Sequence, residues 1–125
     1  MNRNPEFSQP GFAVCQRGLS AGGSGFHITF PNGWTASVQF GAGNYCEHYD
    51  SRDYEKPLGK SHTAEIAAFH EDDTWYSFVD KKPDIGPDAQ THVEGWQTPE
   101  QVLAFLNVVA SLPNHPKSGV GEEHD

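Results

Sequence analysis

Cysteine is nearly absent from this 125-residue chain; Cys15 and Cys46 are the two present. Two thiols close at most one bridge, which excludes a small disulfide-framed scaffold and makes free thiols the expectation. Positive charge is the second scarcity. Eight Lys and Arg face 17 Asp and Glu, a net charge of −9. Phosphate contacts need clustered Lys and Arg, so direct nucleic-acid binding through a basic face is not expected. Long apolar runs are missing too. No stretch approaches the roughly 20 residues of a membrane-spanning helix, and no apolar run follows a basic start as in a secretory signal. The expectation is a soluble, cytoplasmic protein with no membrane partner.

Aromatics and turn formers fill the space. Leu, Ile and Met are scarce, but eight Phe, three Trp and four Tyr can supply a core. Thirteen Gly and nine Pro favour a loop-rich, strand-rich fold over a helical bundle. The length suits one domain. The acids are concentrated: residues 47–116 carry thirteen of them against five cations. Such a surface suits solubility, a basic protein partner, or competition for a nucleic-acid channel.

Residues 1–24 read as an irregular segment ending in a Gly-rich linker, with FAVC a possible short edge strand. GFHITFPNGWTASVQFG holds two alternating runs joined by PNG, a β-hairpin. A two-residue turn would set the apolar face of one strand beside the polar face of the other. A three-residue loop, Pro31-Asn32-Gly33, pairs Phe30 with Trp34, Ile28 with Ala36 and Phe26 with Val38, and leaves one face wholly apolar. That register requires Gly33 in the left-handed region. TAEIAAFHEDDTWYSFVD reads as a second hairpin covered on both faces. Ile66, Ala68, Trp75 and Val79 fall on one side, and Ala67, Phe69, Tyr76 and Phe78 on the other. KKPDIGPDAQ reads as a loop and THVEGW as a short last strand.

In QTPEQVLAFLNVVASLP, Thr98 fits the N-cap, Pro99 the first helical position, and Gln101 completes a capping box. Val102, Phe105, Leu106 and Val109 recur at helical spacing, widened by Leu103 and Ala110. The expected fold is α+β: an antiparallel sheet of four to five strands, two hairpins plus a short strand, with one C-terminal helix on a face. The domain spans 25–113, and 114–125 reads as a disordered acidic tail.

Four stretches are candidates for chemistry. FGAGNYCEHYDSRDYEK, residues 40–56, sets Cys46 and His48 two apart, on one face of an extended chain. With His62 and His70 they form a conceivable metal set, and Cys46 and His48 a conceivable nucleophile and base, but the spacing matches no zinc motif. The plainer reading is a loop capping the first hairpin, with Tyr45 or Cys46 tucked inwards. If the loop does work, Tyr45, His48, Tyr49, Asp50 and Asp53 suit protein recognition. Gly59-Lys60-Ser61 resembles the end of a phosphate loop, but Tyr54 stands where the first glycine belongs and a strand follows. His70, Glu71, Asp72 and Asp73 lack the spacing of a calcium loop and read as an acidic hairpin tip able to dock on a basic partner. Trp34, Trp75, Tyr76 and Trp96 read as core. No cofactor is implied.

ITFPNGWTASVQFGAGNYC, TAEIAAFHEDDTWYSF and GWQTPEQVLAFLNVVASLP, within residues 26–112, together resemble small accessory proteins encoded in tailed-bacteriophage genomes. The resemblance implies a setting inside an infected bacterium and carries no activity or site residue. Three functions remain open. One is a non-enzymatic protein that binds and inhibits a host protein, as anti-defence and host-takeover factors do, with nucleic-acid mimicry one version. Another is a protein that sequesters a small molecule or nucleotide. The third is a metal-dependent enzyme using Cys46 and His48.

Overall fold

Two hairpins with the same turn geometry organise the sheet. In the first, strands β2 (Gly25–Thr29) and β3 (Trp34–Gln39) pair Phe26 with Val38 and Ile28 with Ala36. The Phe30 N–H donates to the Trp34 carbonyl at 2.9 Å, and Gly33 has φ 88°. The three-residue loop and left-handed glycine expected from the hydrophobic pattern are both present.

The computed structural model describes residues 10–14, 24–52, 60–85 and 91–114. Among them are five more strands: β1 (Gly11–Val14), β4 (Ala64–His70), β5 (Trp75–Ser77), β6 (Lys82–Asp84) and β7 (Glu94–Gln97). One helix follows, α1 (Pro99–Ala110). All pairings are antiparallel, in the order β1-β2-β3-β4-β5-β6. One side of β4 is shared, with Phe69 opposite Trp75 on β5 and Ala64 opposite Gln97 on β7.

The fold is α+β, but the sheet has seven strands rather than four to five. The additions are the two edges. β1 forms within the irregular segment at the run FAVC, where a short edge strand was conceivable, and β6 lies inside the stretch read as a loop. β6 contains Pro83, which cannot donate to a ladder and is tolerated at an edge. Residues 1–9 and 15–23 of the N-terminal segment and 115–125 of the tail lie outside the described residues.

The second hairpin corrects the expected faces. Its turn is also a three-residue loop, Glu71-Asp72-Asp73, with the His70 N–H donating to the Thr74 carbonyl and Asp73 at φ 73°. Trp75 therefore sits opposite Phe69, their rings 5.0 Å apart, and Tyr76 turns to the helix side. The expected faces correspond to a four-residue turn, residues 71–74, which would set Phe69 opposite Tyr76; with three residues in the turn every side chain of β5 lies on the other face. β4 is covered on both sides as expected, with Ile66, Ala67 and Ala68 all buried.

The main core lies between the sheet and α1. Trp34, Ala36, Val38, Ala64, Ile66, Ala68 and Tyr76 meet Phe105 and Val109, with Val102 and Leu106 packed alongside. Leu103 and Ala110 do not widen the buried stripe; both are exposed. Thr98 caps α1, and both hydrogen bonds of the capping box are formed. At the other end Asn32 reaches across from the first turn. Its Nδ2 donates to the carbonyls of Val109 and Leu112, both at 2.9 Å, and its Oδ1 accepts from the Trp34 N–H. A turn residue thus adds a donor at the helix C-terminus, to the Leu112 carbonyl and to a Val109 carbonyl that also accepts from the Leu112 N–H.

Candidate functional site

The loop after β3 turns immediately on Gly41, Gly43 and Asn44. The Asn44 side chain accepts from the Gly41 N–H, and Gly43 takes φ 83°. Cys46 is the inner anchor of this loop. It is fully buried and free, its thiol donates to the Gly41 carbonyl at 3.7 Å, and its sulfur accepts from the His48 N–H. Burial pushes the thiol pKa up, against the smaller opposing pull of the His48 hydrogen bond. A buried thiol held in its neutral form is a packing group rather than a nucleophile.

The remaining polar groups tie the loop to neighbouring strands. The Tyr45 N–H donates to Glu65 Oε1 and the Glu47 N–H to Thr63 Oγ1. His48 Nε2 donates to the Lys60 carbonyl at 2.7 Å. His62 Nδ1 lies 2.9 Å from Glu47 Oε1. That hydrogen bond is the main reason the Glu47 carboxyl sits below the usual carboxylate range.

One consequence of these ties is a surface feature. The Trp96 N–H donates to the Tyr45 carbonyl at 2.8 Å, and Trp96 adopts φ 50°, a conformation uncommon for a bulky residue. Gly95 allows the approach, since a Cβ there would stand 2.6 Å from Tyr45 Cβ. The Trp96 ring consequently lies outside the core, stacked on Tyr45 at 5.8 Å with 12° between their planes. Tyr49 completes the group, 5.6 Å from Tyr45 and 5.9 Å from Trp96. The three residues are 45%, 48% and 53% exposed, so each ring offers a large part of its surface to solvent while held by the other two. Glu47 and Asp50 on the same loop and Glu94 on β7 are exposed acids close by in sequence.

The other expected site residues are dispersed. Asp53 lies outside the described residues. Glu71, Asp72 and Asp73 stand at the opposite end of β4 from the Tyr45 loop, so the two recognition candidates do not form one surface. The proposed metal set separates for the same reason. Cys46, His48 and His62 lie near the start of β4, whereas His70 ends it, buried, with Nε2 donating to the Asn114 carbonyl at 2.6 Å. Among the described residues no group of three or more His, Cys, Asp or Glu side chains is placed to hold a metal ion.

Trp34 and Tyr76 are core as expected. Trp75 is half-buried on the far face, stacked on His92 at 5.6 Å, and His92 pairs with Asp84 at 2.9 Å. Trp96 is the functional candidate that sequence reasoning misplaced. Its only local signal is the preceding Gly95, and that is ambiguous between a bulge and a weakened strand. Comparison of the chain with protein-family models, curated proteins and solved structures finds no match. None of the described helices is long and apolar enough to cross a membrane.

Proposed function

We propose that this is a small binding protein that acts by occupying a host protein inside a phage-infected bacterium, with Tyr45, Tyr49 and Trp96 as its contact surface. The observation that carries the reading is the three-ring cluster. Tyr and Trp are the side chains most enriched at interface hot spots. Here they are held in place before any partner arrives, which reduces the ordering cost of association. The strand and loop contacts that hold them include a left-handed Trp96, a conformation the surrounding structure must enforce. The net charge of −9 adds a preference for a basic partner surface and favours its approach over distance. The acidic balance speaks against direct nucleic-acid binding, and the reading needs no cofactor and no catalytic residue.

The test is affinity capture from bacterial lysate with the native protein and the Tyr49→Ala/Trp96→Ala variant side by side. Both side chains are exposed, so the variant should keep its far-UV circular dichroism and cooperative unfolding. The expected result is one dominant basic protein retained by the native chain and lost by the variant. Equal capture by both proteins would remove the aromatic surface from the mechanism. No capture by the native chain would remove the inhibitor reading itself.

A further inference from the structure

On the helix side of the sheet, an open cleft of about 450 Å³ lies between the first half of α1 and the neighbouring ends of β2, β3 and β4. Its wall is apolar: Phe26, Val38 and Phe40 from the sheet side, and Val102, Leu103 and Leu106 from the helix. Most of its polar groups are on one strand entry, at Lys60, Ser61, His62 and Thr63, with Gln97 from β7. The volume falls within the range of about 300–1,000 Å³ typical of small-molecule sites. An apolar wall with a few polar groups on one side is also the usual composition of such sites.

The two cationic or basic groups on that side differ in their partners among the described residues. The His62 ring is engaged by Glu47 at 2.9 Å. The Lys60 ammonium has no ion-pair partner among the described residues, although its carbonyl is used by His48. The other cations among the described residues are Arg52, after the Tyr45 loop, and Lys81 and Lys82, at the β5–β6 turn. In a chain of net charge −9, the cleft thus has among its lining residues a cation with no ion-pair partner among the described residues.

We propose that this cleft binds an amphipathic organic acid, its alkyl or aryl group against Phe26, Val102 and Leu106 and its carboxylate at Lys60. The apolar part gains by leaving water, in proportion to the area it buries. The carboxylate keeps partial solvation at the open side while gaining a charge-assisted hydrogen bond. A dianion or nucleotide is a poorer fit. It would bring more negative charge than one lysine offsets, and Glu47 stands next to His62.

The probes are octanoate and its neutral counterpart octanol, titrated into the full-length protein and followed by amide chemical shifts. The variants are Lys60→Gln, which removes the cation, and Leu103→Trp, which places a large ring in the cleft from an exposed helix position. The expected result is saturable octanoate binding that shifts amides of residues 60–64 and 99–106. Lys60→Gln should weaken octanoate about tenfold, the scale of one charge-assisted hydrogen bond, and leave octanol within about twofold. Leu103→Trp should abolish both while the remaining spectrum stays dispersed. Absence of saturable binding, shifts outside the cleft, or equal weakening of octanoate and octanol by Lys60→Gln would each overturn the proposal. Octanol binding as tight as octanoate in the native protein would also overturn it, leaving only an unselective apolar cleft.

Discussion

Asn32 illustrates how much one residue carries without announcing it. Its sequence context, PNG between two alternating runs, identifies a turn and nothing more. In the structure the side chain closes the turn by accepting from the Trp34 N–H and donates to the carbonyls of Val109 and Leu112, 77 and 80 residues away. It is buried. Asn32→Ala would take a donor from the Leu112 carbonyl and an acceptor from the Trp34 N–H, while the Val109 carbonyl would keep its bond from the Leu112 N–H. Each unsatisfied buried group costs roughly 1–3 kcal/mol, and relaxation recovers part of that, so the expected loss is about 2–4 kcal/mol. Urea unfolding followed by tryptophan fluorescence measures it. A loss below about 1 kcal/mol would mean the helix end does not depend on this side chain. Such a contact is invisible in sequence because its acceptors are backbone carbonyls, which every residue has. Trp96 was illegible for a related reason: its exposure follows from a backbone angle and from the Tyr45 carbonyl, not from its own chemistry.

At the scale of elements, legibility divided along the type of turn residue. The first hairpin could be placed residue by residue because Gly33 signals a left-handed position. The second uses the same loop length with Asp73 in the left-handed position, and Asp gives a weaker signal, so the register was misjudged by one residue. The start of the helix was legible because its signals are local: Thr98, Pro99 and Gln101 take the positions expected of them. Of the edge strands, β1 showed only as the short apolar run FAVC and β6 not at all, since three or four residues cannot show a period. The two turns make opposite predictions. In Gly33→Ala, a Cβ would stand 2.7 Å from His70 Nε2, and His70 is held between the Asn114 carbonyl and the Asp72 N–H. With the unfavourable φ added, the expected destabilisation is about 1–3 kcal/mol. Asp73→Gly relieves a left-handed non-glycine residue and is expected to gain about 0.5–1 kcal/mol, after the entropy of a more flexible unfolded chain is subtracted. Thermal unfolding of both variants checks the pair. Shifts of the same sign would show that the two turns are not energetically equivalent.

Across the whole molecule, candidate chemistry is distributed between the two ends of β4. The acidic hairpin tip is at one end; the aromatic loop, the cleft and Lys60 are at the other. Sequence could nominate Tyr45 and Tyr49 by their company of acids, yet could not say that the acidic tip stands apart from them, because a hairpin's direction in the sheet is a tertiary fact. The loop end has a pH-sensitive fastening in the Glu47–His62 pair. The hydrogen bond from His62 lowers the folded-state pKa of Glu47 below its ordinary 4.5. A carboxylate with a depressed folded pKa stabilises the fold above its unfolded pKa. That contribution fades as the pH falls through the lowered value, and below it both states are protonated and nothing remains. The pair is on the surface, so its effect on global stability is small and the local titration is the informative readout. In His62→Ala the Glu47 midpoint should rise toward 4.5, as followed by its side-chain carboxyl carbon in NMR titration. The amides of Tyr45, Tyr49 and Trp96 should shift together over the same pH range if the three rings respond as one unit. An unchanged Glu47 midpoint would show that His62 does not hold it. A Glu47 midpoint that moves while the ring residues stay still would show that the backbone ties of Tyr45 alone keep the aromatic surface in place.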